Sequence, residues 1–170
     1  IQLLSSQAKS PTRKLSICAT TSFAFSGKRG EEPNVIHEMP DNNLHQMKFT
    51  KSVKSGEIYR FSLVGTTLSS AHSADPYNEA ERLTIFARLE GVDRLMKMHQ
   101  AAWEQLWASD IQIEGDQQSQ QDIHSMLYHL YSFTSAGSGL SVSPMGLSGL
   151  GYNGHVFWDA DTWMFPVLAV

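Results

Sequence analysis

The first part of the chain alternates apolar and polar positions in the way that is typical of β-strands. In KLSICATTSFAFS, residues 14–26, the odd positions from Leu15 to Phe25 are apolar or carry a methyl group, and most positions between them are polar. This period of two predicts a strand with one buried, apolar face.

The residues that follow predict more antiparallel structure. Residues 27–43 are rich in charge, proline and asparagine, which is typical of a long loop. Residues 44–53 and 57–69 alternate again on either side of a turn at 54–56, so they predict a hairpin. We therefore expect residues 1–72 to be the end of an antiparallel β-sandwich.

The hydrophobic period changes at Asp75. An aspartate can cap a helix by accepting from free backbone N–H groups, and Pro76 fits a first helical turn because its missing N–H would be unpaired there. Apolar residues then recur every three or four positions and predict one long helix that bends near Gly91; they are Ile85, Leu89, Val92, Met96, His99, Trp103 and Leu106. One sheet cannot accommodate a switch from a period of two to a period of three to four. We therefore expect residues 73–108 to be a helical linker between two domains.

A second helix is predicted after Gly115. The piece before it, 110–114, alternates and predicts a short strand. The helix of roughly four to five turns is apolar over more than half its circumference, which predicts that it is largely buried; the apolar residues are Ile123, Met126, Leu127, Leu130, Tyr131 and Phe133. Residues 135–152 are dense in glycine and serine and predict a long loop.

Composition excludes several classes of function. The 170 residues are 41% hydrophobic, enough for one domain or parts of two. The net charge is −4 and the 13 Lys and Arg are scattered, so no nucleic-acid interface is predicted. A single cysteine, Cys18, excludes an internal disulfide. Neither a membrane-spanning stretch nor a secretory signal is visible, so we expect a soluble protein without a membrane partner, in an unknown compartment.

The candidate chemistry lies in GYNGHVFWDADTWMFP, residues 151–166, which gather five aromatic rings, a histidine and two aspartates. A sugar ring offers a face of C–H bonds that packs on an aromatic plane, and a rim of hydroxyls that donate to carboxylates. Trp158 can supply the plane and Asp159 the acceptor, and charge-assisted hydrogen bonds are roughly twice as strong as neutral ones.

Two other interpretations fit the same residues. The aromatic side chains can be core, with Asp159 or Asp161 as a helix cap, and aromatic clusters belong to cores more often than to sites. A metal site would use His155 and Asp159, but the chain contains no third ligand at a recognisable spacing, no HExxH and no paired cysteines. We therefore predict no metal.

Two runs resemble glycoside hydrolase family 65. GYNGHVFWDADTWMFP is similar to the signature at the start of that family's catalytic barrel. HQAAWEQLWASDIQIEGDQQSQQDIHSMLYHLYSF, residues 99–133, is similar to its linker helix and first barrel helix, where W-x-x-x-W precedes D-I-x-I-x-G-D. Family members have an N-terminal β-sandwich, a helical linker, an (α/α)6 barrel and a small C-terminal β domain. The resemblance implies a multidomain α and β protein in which residues 109–170 are the first, incomplete part of the barrel.

The resemblance also implies a function, an inverting enzyme that cleaves α-glucosidic bonds. It places Trp158 and Asp159 in the subsite that holds the transferred glucosyl unit. Neither Glu104 nor Glu114 matches the family's general acid, so the resemblance implies that this acid lies beyond Val170 and that no catalytic residue lies in this chain. The expected partners are an α-linked glucoside or disaccharide and the remainder of the same polypeptide, which we expect to cover the apolar run FPVLAV.

Hydrolysis and phosphorolysis remain alternatives. WDADTWMFP is more similar to the hydrolase branch of the family than to the WDTE pattern of its phosphorylases, and the difference falls at Ala160 and Asp161. We therefore predict a hydrolase that needs no cofactor. A disaccharide phosphorylase, with inorganic phosphate as co-substrate, is the first alternative, and a non-catalytic carbohydrate-binding module is the second.

Overall fold

The computed structural model divides the chain into two compact units, Ile1–His99 and Gln100–Val170. It describes residues 1–26, 32–134, 139, 141–146, 149 and 151–169. In the first unit the described elements are β1 (Leu4–Lys9), β2 (Ser16–Ser26), β3 (Val35–Asp41), β4 (Leu44–Phe49), β5 (Arg60–Ser69) and α1 (Pro76–Glu90). Further along lie α2 (Val92–Leu106), α3 (Gln117–Phe133), a 3₁₀ turn (Gly151–Gly154), a π turn (Ala160–Met164) and α4 (Phe165–Leu168).

The strands form two antiparallel sheets whose pairing differs from the predicted one. β2 lies between β1 and β5, and β3 pairs with β4. The predicted hairpin of residues 44–53 with 57–69 is therefore wrong, and the loop predicted over 27–43 contains a strand in its described part. A local turn explains the difference, because the Asn43 N–H donates to the Asp41 carboxylate at 3.2 Å and closes the β3–β4 hairpin over a short loop.

The buried face of β2 is its polar face. Cys18, Thr20 and Ser22 are almost completely buried, whereas Ile17 on the other face is 41% exposed. The strand predicted over 14–26 is confirmed, but the prediction that its apolar face is the buried one is wrong. In this unit α1 packs on β2 and β5 from the polar side.

Helix α1 contacts the sheet through small residues. Its buried positions are Pro76, Ala80 and Thr84, spaced four apart on one face. The Thr84 hydroxyl donates to the Thr20 carbonyl of β2 at 3.3 Å, which satisfies both groups inside the contact. Small side chains on both surfaces let the helix and sheet approach closely. Leu89, which belonged to the predicted apolar stripe, is exposed.

The first helix starts as predicted and ends earlier. Asp75 accepts from the Asn78 N–H at 3.2 Å, and Pro76 is the first helical residue, so the predicted cap is confirmed. Gly91 has φ 86° and separates α1 from α2, so the single bent helix is wrong. A positive φ suits glycine and cannot continue a right-handed helix.

In the second unit, α3 spans the length predicted for it, but its surroundings differ. Leu127 is buried, whereas Met126 is exposed, so the prediction of a largely buried helix is wrong for this chain. The predicted strand 110–114 is also wrong, because this segment pairs with no described strand. Among the helices in the described part of the chain, none has the length and apolar character needed to cross a bilayer.

Candidate functional site

A tight left-handed turn precedes the Trp158–Asp159 pair. Tyr152, Asn153 and Gly154 have φ of 54°, 51° and 73°. The left-handed region is unfavourable for non-glycine residues, and asparagine tolerates it better than tyrosine does. Two hydrogen bonds hold the turn, because the His155 backbone N–H lies 2.9 Å, and its Nδ1 2.7 Å, from the Tyr152 carbonyl oxygen.

The side-chain bond determines which nitrogen of the His155 ring carries the proton. A carbonyl only accepts, so Nδ1 must carry the proton, and in the neutral ring Nε2 is then the acceptor. The ring lies 6.5 Å from that of Phe157, which in turn packs edge-on against Tyr152 at 5.3 Å. His155 is therefore part of the turn that leads into Trp158.

The helical segment after Asp159 contains one wide turn. The Phe165 N–H donates to the Ala160 carbonyl, five residues back, instead of four. Pro166 explains this geometry, since it has no N–H for the Thr162 carbonyl and its ring would clash with that carbonyl in a regular α-helix. Such π turns occur frequently at functional sites.

The wide turn brings two tryptophans together. The Trp158 and Trp163 rings lie 6.3 Å apart at an angle of 51°. Residues five apart point about 140° away from each other on an α-helix, whereas i→i+5 bonding returns them to the same side. Trp158 is 65% and Trp163 64% exposed, so in this chain neither is a core residue.

Asp159 follows Trp158 in the chain and is half-buried. Its backbone is already helical at φ −52° and ψ −37°, and its side chain makes no capping hydrogen bond. Among the described residues no hydrogen-bond or ion-pair partner of its carboxylate is found. The interpretation of Asp159 as a helix cap therefore lacks its defining bond, and the carboxylate oxygens are available as acceptors.

A metal site would need a third ligand beside His155 and Asp159. Within the part of the chain that the structure describes, no three side chains of His, Cys, Asp or Glu come together in a way that could hold a metal ion.

A second aromatic cluster joins α2 to α3 within the second unit. Trp103 stacks on Tyr128 at 5.1 Å, and Trp107 packs edge-on against His124 at 5.2 Å and Tyr131 at 5.8 Å. The two tryptophans are four apart and so lie on one helix face. The W-x-x-x-W spacing therefore places both indoles on the face of α2 that packs against α3.

Gln120 connects the extended segment before α3 to that helix. Its Oε1 accepts from the Ile113 N–H at 2.6 Å, and its Nε2 donates to the Ile111 carbonyl at 3.0 Å. Its Nε2 also lies 2.7 Å from Nε2 of His124, which is 2.9 Å from the Asp110 carboxylate. One side chain thus takes the place of a strand partner for residues 111–113.

The start of α3 is capped by Asp116. Its carboxylate accepts from the backbone N–H of Gln118 and Ser119 at 3.0 and 3.3 Å. Hydrogen bonding from the Ser119 hydroxyl and then from the Ser119 N–H lowers the pKa of Asp116 below its usual value.

A cavity of about 310 Å³ lies in the first unit. Phe25, Phe49 and Phe61 line it, and the Phe49 ring packs edge-on against both other rings at 4.8 and 5.2 Å. The exposed surface of its wall is mostly apolar, although Glu32, Lys51 and Arg60 also line it. The resemblance to family 65 places the glucosyl subsite at other residues. We therefore place the candidate site at Trp158 and Asp159.

Sequence reasoning named Trp158 and Asp159. It weighed Trp163 as core and His155 as one ligand of a metal site that it did not predict, and it did not single out Gln120. Pro166, three residues after Trp163, was the available signal for the wide turn. No comparable signal existed for His155, since its bond depends on the positive φ of the residues before it.

Comparisons with known proteins agree with the resemblance. A family model for the central catalytic domain of glycosyl hydrolase family 65 matches residues 124–170. A kojibiose hydrolase of Mucilaginibacter mallensis is 59% identical over 170 residues, which are 100% of this chain and 25% of that protein. A kojibiose hydrolase of Flavobacterium johnsoniae is 56% identical over 98% of this chain and 24% of its own length. A nigerose phosphorylase of Lachnoclostridium phytofermentans is 34% identical over 69% of this chain and 16% of its own length.

The chain spans about a quarter of the length of the two kojibiose hydrolases that it matches. The similarity to them extends over all or nearly all of its residues, and the part from His124 onward matches the family's catalytic domain. The chain therefore belongs to glycoside hydrolase family 65.

Proposed function

We propose that this chain contributes the glucosyl-binding subsite of an inverting enzyme that hydrolyses α-glucosidic bonds, with kojibiose as the first substrate to test. The observation that carries the proposal is the exposed indole of Trp158, followed in the chain by Asp159, whose carboxylate has no partner among the described residues. The names of the two most similar relatives reported above support the choice of substrate.

The proposal assigns separate roles to the three parts of the chain. Residues 1–72 form part of a β-sandwich, residues 73–108 a helical linker, and residues 109–170 the first part of an (α/α)6 barrel. The match of residues 124–170 to the catalytic domain supports the last assignment. The antiparallel sheets of the first unit support the first.

The chemistry follows from the two side chains. The indole of Trp158 packs on the C–H face of the glucosyl ring, and both oxygens of Asp159 accept hydroxyl hydrogen bonds at its rim. In an inverting reaction one carboxylic acid protonates the leaving oxygen while a base activates water on the opposite face of the sugar. We assign neither of these groups to residues of this chain, because Glu104 and Glu114 do not match the family's acid.

Asp159→Asn tests the site. Asn retains the shape and loses the charge, and loss of a hydrogen bond to a charged group costs about 1.5 to 3 kcal/mol, or about tenfold to hundredfold in activity. We expect kcat/KM for kojibiose in the naturally encoded protein to fall by this factor at an unchanged melting temperature. Asp122→Asn, on the exposed surface of α3, is the matched control and should leave both unchanged. Unchanged activity of Asp159→Asn would return this residue to a structural role.

The phosphorylase alternative rests on the 34% identity to a nigerose phosphorylase. It uses the same sugar subsite with phosphate as the attacking group. Supplying kojibiose with and without inorganic phosphate separates the two reactions. Hydrolysis with inversion releases β-glucose without phosphate, whereas release of glucose 1-phosphate, dependent on added phosphate, would favour the alternative.

A further inference from the structure

We propose that Trp163 determines specificity at this site by packing on the second sugar ring of a disaccharide, next to the ring held by Trp158 and Asp159. The inference rests on the proposed function, which assigns a role to Trp158 and Asp159 and none to Trp163. Its basis is the placement of the two indoles by the wide turn.

The two indoles lie close together and are both exposed. Their centres are 6.3 Å apart, within the 4.5–7 Å range of rings in contact, and both remain about two-thirds exposed. An exposed pair in mutual contact presents two flat faces to whatever lies against it.

The spacing excludes a sandwich of one sugar between the two indoles. Carbon atoms in contact are about 3.5 to 4 Å apart, so a ring clamped between two parallel planes needs them about 7 to 8 Å apart or more. The observed ring centres are only 6.3 Å apart, and the planes are tilted by 51° instead of parallel. Each indole therefore offers its own face, and a single pyranose cannot use both from between them.

Two linked sugar rings match this arrangement. Rings joined through one glycosidic oxygen lie at an angle to each other, so each can pack its C–H face on one of two tilted planes. The proposed function assigns both Trp158 and Asp159 to the first ring, which leaves the Trp163 face for the second. Trp163 then contacts the ring that leaves when the bond is cleaved.

The position of Trp163 beside Trp158 depends on the wide turn, which residues 160–166 form among themselves. Pro166 has no N–H to donate to the Thr162 carbonyl, and one residue earlier the Phe165 N–H donates to the Ala160 carbonyl, five residues back. Trp163 lies within this turn and so depends on it for its position beside Trp158. In a regular helix the two indoles would point to different sides.

The experiment compares the binding of glucose, which has one sugar ring, with that of kojibiose, which has two, in the naturally encoded protein. Trp163→Leu removes the flat face and keeps an apolar side chain, and Trp163→Phe keeps a smaller flat face. We expect Trp163→Leu to raise KM for kojibiose at least tenfold and to change the inhibition constant of glucose less than twofold. Trp163→Phe should raise KM by less than threefold. The melting temperature of each variant is also measured. If both variants are destabilised, the difference in KM between Trp163→Leu and Trp163→Phe still reports the effect of the flat face.

Trp158→Leu separates this inference from the proposed function. It should weaken glucose and kojibiose alike, and failure to do so, together with an unaffected Asp159→Asn, would refute the sugar site itself. If that site holds, two results overturn the role of Trp163. The first is equal weakening of glucose and kojibiose by Trp163→Leu, which would place Trp163 at the first ring. The second is an unchanged KM.

Discussion

The bond from His155 to the Tyr152 carbonyl can be tested atom by atom, because two amide side chains each reproduce one of the imidazole nitrogens. Asn places its amide nitrogen near the position of Nδ1, and Gln places it near that of Nε2. His155→Asn therefore keeps a donor for the Tyr152 carbonyl, whereas His155→Gln moves the donor away from it. His155→Ala removes both.

The structure sets the size of the effect. Tyr152 and Asn153 are left-handed, which costs roughly 1–2 kcal/mol per residue. Two hydrogen bonds from His155 to the Tyr152 carbonyl offset this, and each contributes about 0.5–1.5 kcal/mol net. Cost and gain are therefore similar. Loss of the Nδ1 bond should lower the population of the turn by about twofold to twelvefold, since 1.4 kcal/mol corresponds to a factor of ten.

Two measurements check this prediction. Exchange of the backbone amide hydrogen at position 155 should be about twofold to twelvefold faster in the Gln and Ala variants and nearly unchanged in the Asn variant. In the naturally encoded protein, kcat/KM for kojibiose should fall in the same order, because the turn precedes Trp158. Retained activity in the Gln variant with loss in the Asn variant would refute the reasoning, since it would show that Nε2 is the essential atom.

Two further predictions concern α3. Because the pKa of Asp116 is lowered in the folded chain, chiefly by the Ser119 hydroxyl, its carboxylate stabilises α3 above the ordinary carboxyl pKa, and this contribution is lost as pH falls through the lowered value. The helical signal in circular dichroism should therefore decrease as pH falls through this value, and this decrease should be missing in Asp116→Asn. Gln120→Met should speed amide exchange at Ile113 about twofold to twelvefold, for one lost bond of about 0.5–1.5 kcal/mol. Gln118→Met, which removes a hydrogen bond to Asp122 within α3, should leave that exchange unchanged.

Local chemistry made several elements predictable from the sequence. Asp75 and Pro76 start α1 because capping and the missing proline N–H act within one helical turn. The strand over 14–26 and the helix after Gly115 follow from periods of two and of three to four. Trp158 and Asp159 were named as a candidate site from their side-chain chemistry and from the resemblance, and their role in sugar binding stays a prediction.

Other features depend on residues far apart in the chain, so only the tertiary structure decided them. The pattern of β2 gives one apolar and one polar face, but the packing of α1, with Thr84 bonded to the Thr20 carbonyl, buried the polar one. Strand partners were undetermined for the same reason, since β5 alternates equally well beside β2 or β4.

The candidate site shows the same division. Its residue types are local, yet the contact of Trp158 with Trp163 depends on how the backbone accommodates Pro166. The bond that fixes the His155 ring depends on a left-handed turn that no apolar period encodes. The sequence by itself determined which groups are present. The backbone conformation decided which of them lie close enough to act together, because side-chain direction changes with every backbone dihedral between them.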